Sequence, residues 1–456
     1  MNNQSNKAIV IGAGLAGVEA AWQLAKLGIK VRLFEAKPRW FSPAHKSPNF
    51  AELVCSNSLK SEETGHATAL LKEEMGKLGS VVIEAAHSMR LPAGKALAVD
   101  REGFAEYITE KISANKNIEI IRGEVQSLNN FGDDICGVII ATGPLSSPAF
   151  IKNFKDLLSD SGEFLYFHDA IAPIVEYDSI DMNIAFKASR YDVGKEADGD
   201  YINCPMTKSE YDSFIGEIIK ANKVHAHEFD DIRYFEGCMP IEAFAERHPD
   251  ALRHGPMKPM GIRHPKTGEG FYAIVQLRQD NMHATLYNIV GFQTRMTYPE
   301  QDRIFRMIPG LKSAKFARYG SMHRNTYING PVLLNKTLQL KNYSHIYVAG
   351  QLTGVEGYLE SAAVGLYAGL GLGYAIAKKS PMPAIPPTTA IGSLIRHITC
   401  CPNKNFQPMK IMWGIFPPLS EKDSTSRGPR KELRRKMILE RAEKDFWEWA
   451  AGFNSF

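Results

Sequence analysis

Cysteine is the residue type in this chain that points most directly to chemistry. Cys55 lies in Asn49–Ser61, a stretch rich in Asn, Ser and Lys, where nearby Lys60 could favour the reactive thiolate. A buried structural thiol explains that stretch equally well. Cys238 lies in a segment flanked by glycine and proline, which predicts a turn and an exposed sulfur.

The other cysteines are weaker candidates. The chain has no CxxC pair and no histidine spacing suited to zinc, so we expect neither a metal site nor a disulfide scaffold. Cys136 is predicted to lie in the core, Cys204 fits either a site or the core, and adjacent Cys400 and Cys401 are expected to be unbonded. A functional cysteine here is therefore expected to be a nucleophile.

Near its N-terminus the chain has the pattern of a dinucleotide-binding βαβ unit. An apolar run over Lys7–Ile11 leads into a glycine-rich turn, a helical pattern continues to Leu27, and a second strand over Lys30–Phe34 ends at Glu35. Strand, glycine turn, helix, strand and terminal acid follow in the order that such a unit requires. The turn consists of Gly12, Ala13, Gly14, Leu15, Ala16 and Gly17.

The glycines and the acid of that unit each have a physical task in nucleotide binding. Gly12 permits the tight turn, Gly14 lets the backbone approach a pyrophosphate, and Gly17 lets helix and strand pack closely. The helix N-terminus offers N–H groups to phosphates, and Glu35 is placed to accept from a ribose hydroxyl. This context favours nucleotide binding over a structural turn, and its position near residue 1 is typical of a tightly held FAD.

Two later strand ends support a flavin. A buried strand is predicted over Gly137–Ile140, and another from Ile346 feeds an Ala/Gly-rich helix whose N-terminus could stabilise negative charge on a reduced ring. Two ordinary strand-to-helix connections are the alternative. The residues at these ends that we expect to contact the cofactor are Thr142, Gly143, Gly350, Gln351, Gly357 and Glu360.

The length predicts two or three domains, and the motifs above predict an α/β fold. The chain has 456 residues, 44% of them hydrophobic, and 54 Lys+Arg against 50 Asp+Glu, which excludes disordered and collagen-like classes. We expect a Rossmann-like FAD-binding domain with a doubly wound parallel sheet, formed by residues 1–150 and 325–456, and an inserted α+β domain over 151–324. The insertion has strand-like runs at Phe271–Leu277 and Thr285–Val290.

The sequence predicts a cytoplasmic protein that does not span a membrane. Met1–Lys7 is polar and lacks the apolar core of a signal peptide. The longest weakly polar run, Ala362–Ala377, is shorter than the ~20 apolar residues of a membrane span, so we interpret it as a buried helix. A proline-rich connector over Pro381–Pro387 precedes a short helix predicted at Ile391–Ile398.

The C-terminal segment combines a basic patch with an amphipathic helix. Glu421–Arg441 has 8 basic and 4 acidic residues. This patch could contact an RNA backbone, or it could be a solvated helix surface. The basic residues are Arg430, Lys431, Arg434, Arg435 and Lys436, and the apolar face comprises Ile438, Leu439, Ala442, Phe446 and Trp449.

Taken together, these motifs resemble the folate- and FAD-dependent tRNA (uracil-5-)-methyltransferases of the TrmFO family, relatives of the GidA/MnmG flavoproteins. The chain departs from the family pattern at Ile411–Trp413 and at Cys400–Cys401. The matching stretches span nearly the whole chain: Gly12–Gly17, Phe50–Ser61, Tyr201–Thr207, Phe235–Glu242, Tyr272–Asn281, Tyr287–Thr294, Arg324–Pro331, Tyr347–Ser361, Asn405–Met409 and Gly414–Pro418.

The resemblance implies a reaction and its cofactors. NADH or NADPH reduces bound FAD, and 5,10-methylenetetrahydrofolate donates the carbon that becomes the 5-methyl group of the T-loop uridine (position 54) of tRNA. Uracil C5 is a poor nucleophile until a group adds to C6, and a cysteine thiolate is well suited to that addition. The family's two important cysteines match Cys55 and Cys238, although Cys204 also lies in a matching stretch. We assign Cys238 as the uracil nucleophile and Cys55 as its partner near the flavin.

Several polar residues are candidates for substrate contacts. Arg278 and Asn281 could bind the folate glutamate tail or an RNA phosphate, or they could form an ordinary solvated strand end. Arg324 and Tyr327 could stack on a pterin or a base. Lys60 is a further candidate beside Cys55.

Three other functions remain open at this point. The same chemistry could act on a ribosomal RNA uridine. A GidA-like modification of the wobble uridine is less favoured because the sequence ends without that group's long C-terminal helical domain. A flavin-carrying RNA-binding protein without catalysis is the alternative from another class.

Overall fold

The computed structural model describes residues 6–128, 131–132, 134–158, 164–191, 199–224, 239–265, 267–402, 406–419 and 431–452. The strands are β1 (Lys7–Ile11), β2 (Lys30–Glu35), β3 (Ser58–Ser61), β4 (Arg90–Leu91), β5 (Ala96–Val99), β6 (Ile118–Arg122), β7 (Ile135–Ile140), β8 (Phe164–Ile171), β9 (Ile174–Glu176), β10 (Phe186–Ala188), β11 (Tyr201–Met206), β12 (Ala273–Gln279), β13 (Leu286–Ile289), β14 (Phe316–Arg318), β15 (Ser321–Ile328), β16 (Gln339–Leu340) and β17 (Tyr343–Val348).

The helices are α1 (Leu15–Lys26), α2 (Ala67–Lys77), α3 (Val81–Ser88), α4 (Arg101–Ser113), α5 (Pro148–Leu158), α6 (Lys208–Lys220), α7 (Ile241–Arg247), α8 (Ala251–His254), α9 (Tyr298–Phe305), α10 (Gly330–Leu333), α11 (Tyr358–Lys378), α12 (Ala390–Cys400) and α13 (Lys431–Ala451). Short 3₁₀ turns occur at Tyr177–Ser179, Gly350–Thr353 and Trp413–Ile415.

A six-stranded sheet in the order β16-β17-β7-β1-β2-β6 forms the centre of the nucleotide-binding half. Strands β17, β7, β1, β2 and β6 are parallel, and only the edge strand β16 runs antiparallel to its neighbour. Both faces of the inner strands are covered, so β1 is almost wholly apolar and its Ala8, Ile9 and Val10 are fully buried. The prediction of a Rossmann-like parallel sheet is therefore confirmed.

The prediction that Cys136 lies in the core is wrong, because its thiol side chain is exposed. In the pairing of β7 with β1, Ile135 lies opposite Lys7 and Gly137 opposite Ala8, so the register skips Cys136. A residue left without a register partner at such an irregularity is displaced from the regular alternation of the strand.

Helix α11 packs against α1 at backbone distance. A Cβ placed on Gly365 would lie 2.1 Å from the Ala16 carbonyl oxygen, and one on Gly369 would lie 2.7 Å from that of Ala20. Among the described helices, α11 alone is long and apolar enough to cross a membrane, and 83% of that apolar window is buried within the protein. The prediction of a buried helix over Ala362–Ala377 is confirmed for its greater part, since residues 362–373 are buried.

A second sheet, in the order β10-β11-β12-β13-β9-β14, forms the inserted half. It is antiparallel throughout, and the predicted strands near 271–277 and 285–290 correspond to β12 and β13. Helices α6, α7 and α9 contribute apolar side chains to a core on one of its faces. The two halves are linked by the antiparallel pair β8 and β15.

The predicted C-terminal helices are also present. Helix α12 covers the expected Ile391–Ile398 segment, and the buried Glu74 carboxylate accepts from the N–H groups of Ala390 and Ile391 at 2.7 and 2.9 Å. Burial raises the pKa of Glu74 to about 8. Helix α13 buries Ile438, Ala442, Phe446 and Trp449 in the main core, as the amphipathic pattern predicts.

Replacing Gly365 by Ala is expected to destabilise the protein by about 1–3 kcal/mol, because the new methyl group overlaps the backbone of α1. Gly216→Ala, in α6, is a matched control because a Cβ there meets nothing within 4 Å, so we expect a neutral or stabilising effect of about 0.4–1 kcal/mol. Denaturant unfolding of both variants measures the difference. Equal unfolding free energies for Gly365→Ala and the parent would contradict the close approach of α1 and α11.

Candidate functional site

A groove opens at the carboxyl ends of β1, β2 and β7, where ligands bind in open parallel sheets. The space in and in front of this groove, including open solvent at its mouth, is about 1390 Å³. The predicted residues that line it are Gly12, Gly14, Leu15, Ala16, Glu35, Cys55, Thr142, Gly143, Gly350 and Gln351.

The three glycines of the first turn have separate structural roles. Gly12 has φ +97°, and a Cβ there would lie 2.5 Å from the Ala141 carbonyl oxygen. A Cβ on Gly17 would lie 1.7 Å from the Gly12 carbonyl oxygen, so Gly17 and Ala13 support the turn without lining the groove. A Cβ on Gly14 would meet nothing within 4 Å. The space in front of Gly14 is therefore available to a ligand.

The N-terminus of α1 is suited to an anion. Its N-cap is Gly14, no side chain caps the first turn, and that turn has no acidic residue. The first N–H groups of a helix have no partner inside the helix, so those at Leu15 and Ala16 are directed toward the groove that these residues line.

Glu35 is fixed in place by two backbone donors. Its carboxylate accepts from the N–H groups of Ala13 at 2.8 Å and Lys37 at 2.9 Å, and the residue is 7% exposed. A carboxylate has about four acceptor positions, so Glu35 retains capacity for a ligand hydroxyl.

The opposite wall is formed by the ends of β7 and β17. Ser146 donates from its hydroxyl to the Gly143 carbonyl at 2.9 Å and contacts the Thr142 hydroxyl at 2.6 Å. Gly350 has φ +74°, and a Cβ there would lie 2.8 Å from the Ala16 side chain. Gln351 donates to Glu356 at 2.6 Å. These contacts hold the second wall close to the first turn.

Gly357 and Glu360 lie behind the groove and are not among its lining residues. Glu360 is fully buried, forms an ion pair with Lys60 at 2.5 Å and accepts from the Ile411 N–H at 2.8 Å. A Cβ on Gly357 would lie 2.4 Å from the Glu360 carboxylate and 2.8 Å from the Lys60 ammonium. The three residues therefore form one buried contact at the start of α11.

Cys55 lies on the groove wall and is half-buried. Its backbone N–H donates to the hydroxyl of Tyr358 at 2.6 Å, and its sulfur lies 4.0 Å from the Ala170 carbonyl oxygen. Lys60, which the sequence offered as the nearby cation, is engaged by Glu360 instead. Cys55 therefore lies on the groove wall, but Lys60 is not the cation that would stabilise its thiolate.

Three arginines provide the positive charge near Cys55. Negative charge on the Cys55 sulfur raises the pKa of the guanidinium groups of Arg101, Arg278 and Arg318. Burial lowers the pKa of Arg278 and Arg318, whereas in Arg101 the Asp280 carboxylate outweighs burial and raises it. Guanidinium groups stabilise a thiolate by Coulomb attraction, so this setting is suited to a reactive cysteine.

Two histidines on the groove wall are held neutral near pH 7. Burial, with a smaller effect of Arg318, lowers the pKa of His323 to about 4. Burial and then Lys37 lower the pKa of His45, whose Nδ1 lies 2.6 Å from the Ser42 hydroxyl. Sequence reasoning missed both histidines, since only the fold brings them to the groove.

The other predicted cysteines and substrate residues are placed differently. Cys238 lies outside the described residues, as does the side chain of Arg324. Cys204 is fully buried on the apolar face of β11, and burial raises the pKa of its thiol to about 12, so it remains protonated. Cys400 and Cys401 are free thiols, as expected.

Arg278, Asn281 and Tyr327 do not line the groove within the described part of the chain. Arg278 donates from Nε to the Asn57 side chain at 3.0 Å and is 7% exposed. Asn281 accepts from the N–H of Thr285 at 3.0 Å and so closes the turn between β12 and β13. Tyr327 is buried against Phe406, with ring centroids 6.0 Å apart.

Comparison with known proteins gives matches over almost the full chain. The family model for glucose inhibited division protein A (GIDA) matches residues 7–380. A protein from Geotalea daltonii called methylenetetrahydrofolate--tRNA-(uracil-5-)-methyltransferase TrmFO is 51% identical over 98% of this chain and 99% of its own length. A protein of the same name from Geotalea uraniireducens is 53% identical over 97% of this chain and 98% of its own.

A solved structure supports the fold. GidA from Aquifex aeolicus superposes with a TM-score of 0.68 at 17% identity, covering 97% of this chain and 76% of that protein. At that identity the match concerns the architecture alone, which it confirms as a parallel-sheet nucleotide-binding fold with an insertion.

Gly14→Val is expected to leave the unfolding free energy nearly unchanged while reducing retention of the dinucleotide at least about tenfold, because the side chain enters space reserved for the ligand. Gly17→Ala is the matched comparison, since its methyl group overlaps the Gly12 carbonyl and should reduce both stability and retention. The 450 nm absorbance of purified protein, together with thermal unfolding, checks both. Full retention in Gly14→Val would contradict a dinucleotide at this turn.

Proposed function

We propose that this chain, which belongs to the GidA family and within it to the TrmFO group, methylates C5 of the T-loop uridine (position 54) of tRNA with methylenetetrahydrofolate as carbon donor. The observation that carries the proposal is the roughly 50% identity to TrmFO proteins over nearly the full length of both chains. The groove supports it independently, because it combines a nucleotide-binding turn with a cysteine among cations.

The groove residues fit FAD. The open space at Gly14, the uncapped start of α1 and the fixed carboxylate of Glu35 suit a pyrophosphate and a ribose. Thr142, Gly143, Gly350 and Gln351 lie on the opposite wall, where the ring system would extend. Bound FAD would supply the electrons that convert a methylene into a methyl group, and NADH or NADPH is the proposed source of those electrons.

The protein's own residues have separate tasks in this proposal. The arginines around Cys55 stabilise negative charge at the groove wall, and the Tyr358 hydroxyl fixes the backbone at Cys55. The neutral rings of His45 and His323 provide planar walls without adding charge. Cys238 remains the proposed nucleophile toward uracil C6, on the resemblance, with Cys55 as its partner.

RNA is the proposed macromolecular partner, and the cytoplasm is the proposed location. Helix α13 buries its apolar face and leaves Arg434 and Lys436 exposed, so its basic side is accessible to a phosphate backbone. We also propose the division of the chain into a FAD-binding domain, formed by residues 1–150 and 325–456, and an inserted domain over residues 151–324. The target uridine must leave its stack to reach the groove, which favours a T-loop or another loop over a regular duplex.

The proposal predicts 5-methyluridine in a tRNA transcript when the purified protein receives methylenetetrahydrofolate and NADH or NADPH. S-adenosylmethionine is the control donor, and a ribosomal RNA transcript is the control acceptor. Nucleoside analysis by mass spectrometry identifies the product. Methylation that depends on S-adenosylmethionine would reject the carbon source, and methylation of the ribosomal transcript alone would reject the acceptor.

Cys238→Ala and Cys55→Ala are each expected to reduce methyl transfer by at least about a hundredfold while FAD remains bound, because a nucleophile or proton-transfer group is removed. Cys136→Ala is the matched control, since this cysteine is exposed and lies outside the groove. Turnover and the flavin spectrum are measured on the same preparations. Full activity in Cys238→Ala would contradict its role as the uracil nucleophile, whereas absence of methyl transfer in the parent would support the non-catalytic alternative.

A further inference from the structure

A row of hydrogen-bond donors crosses the polar face of the insertion sheet. Five residues on neighbouring strands lie directly opposite one another across the sheet. In order from β11 to β14 they are Tyr201, Arg278, Asn288, Ile174 and Arg318. Directly opposed residues of antiparallel strands lie on the same face with their Cβ atoms about 4.5–5.5 Å apart. We call Arg278, Asn288 and Arg318 the donor row.

The two faces of this sheet differ in polarity, although both are largely covered. Residues one step along each strand, such as Ile202, Leu277, Tyr287 and Val175, are buried in the apolar core of the insertion. The face that carries the donor row is also largely covered, since Arg278 is 7% exposed and Asn288 is 2% exposed. Polar side chains at this depth are normally matched by partners.

Two members of the row lack such partners among the described residues. The Asn288 amide nitrogen is buried and donates to no described group. Arg318 pairs with Ile174 through its backbone, but its side chain forms neither a hydrogen bond nor an ion pair with any residue in the described ranges. Arg101 differs, because its guanidinium is engaged by both oxygens of Asp280 and by the Leu53 carbonyl. The row therefore presents unsatisfied donors where no acceptor of the chain meets them.

The row adjoins the groove at Cys55. Arg278 donates to Asn57, two residues beyond Cys55, and both arginines of the row respond to charge on Cys55. Ile171 lines the groove three residues before Ile174, and His323 lines it shortly after Arg318. The unsatisfied donors thus lie beside the wall on which the proposed chemistry occurs.

We propose that Arg278, Asn288 and Arg318 form a subsite beside Cys55 for the enolate-type oxygen of a lactam ring, the group that uracil and the pterin of folate share. The inference rests on the proposed function and specifies how its site binds substrate. Two cations and an amide donor match a planar, anionic oxygen. The burial of Arg278 and Asn288 disfavours a phosphodiester, which carries a sugar on each side, at this part of the row.

For uracil the step is chemically balanced. Addition of a thiolate to C6 forms the C–S bond and breaks the C5=C6 π bond, and the displaced electron pair is delocalised onto the C4 oxygen. The donor row stabilises that oxygen, and the C4 carbonyl re-forms when C5 bonds to the methylene carbon of the donor in its iminium form, whose C=N π electron pair moves to the nitrogen. The C5 proton then goes to a base and the thiolate leaves with the C–S electron pair.

Alkylation of Cys55 in the flavin-bound protein tests the subsite without methyl transfer. Iodoacetate is anionic and iodoacetamide is neutral, and both react with the thiolate, so the ratio of their rate constants cancels any change in thiolate fraction. Peptide mapping by mass spectrometry assigns the modification to Cys55. The parent is expected to favour iodoacetate, and Arg318→Gln is expected to lower the ratio about tenfold, with a smaller decrease in Asn288→Leu.

Arg306→Gln is the matched control, because it removes the same charge from an arginine paired with Asp302 at the surface of the insertion. An unchanged ratio there, with a lowered ratio in Arg318→Gln, supports a local subsite. Parallel slowing of both reagents in Arg318→Gln overturns it, because Arg318 would then act on the thiol alone. Equal flavin content in all variants confirms that the comparison concerns folded protein.

Steady-state kinetics of methyl transfer then show whether the oxygen bound by the donor row belongs to the pterin or to uracil. A raised KM for methylenetetrahydrofolate in Arg318→Gln supports the pterin, and a lowered kcat with unchanged KM values supports the uracil enolate. Unchanged kcat and KM values for both substrates overturn a role in the reaction. Failure of the parent to methylate RNA would reject the proposed function. The alkylation ratio would still test the anion-binding subsite, because it is measured without methyl transfer.

Discussion

Close packing of backbone against backbone fixes the geometry of the nucleotide-binding half. Gly17 allows α1 to approach the Gly12 carbonyl, and Gly365 allows α11 to approach the carbonyl of Ala16. No side chain larger than hydrogen fits at either contact without displacement of the main chain. The start of α1 is consequently held between a strand end and a buried helix, and its N–H groups are directed at the groove.

Polar contacts then bring the insertion against this half. Asn57 donates to the Val99 carbonyl at 3.0 Å and to the Gln279 carbonyl at 2.8 Å, while Arg101 binds Asp280 through two donors. Tyr201 donates to the Ala93 carbonyl at 3.1 Å. Because the interface is built from directional hydrogen bonds, it sets the position of the insertion sheet relative to Cys55 more narrowly than apolar contact alone would.

The order of elements around the first groove could be predicted from sequence because local patterns determine it. Glycine spacing, apolar runs and the acid at Glu35 identify strand ends and a helix start, and the fold places them as expected. The ion pair of Glu360 could not be predicted because its partner, Lys60, is 300 residues away in the chain. His45, Tyr358 and the Arg318–His323 stretch are three widely separated segments, so no local spacing could have indicated that they meet. Cys136 was misjudged because a register irregularity is invisible in a short apolar run.

The cysteine and the cations around it belong to different parts of the chain: Cys55 and Arg101 to the first half, Arg278 and Arg318 to the insertion. Electrostatic influence falls with distance, so the contribution of Arg278 and Arg318 exists only after the two halves have docked. A nascent or partly unfolded chain would therefore carry a comparatively inert sulfur at this position. Docking of the insertion thus completes the electrostatic surroundings of this thiol, and a chain in which it has not docked would react less readily with electrophiles and oxidants that attack thiolates.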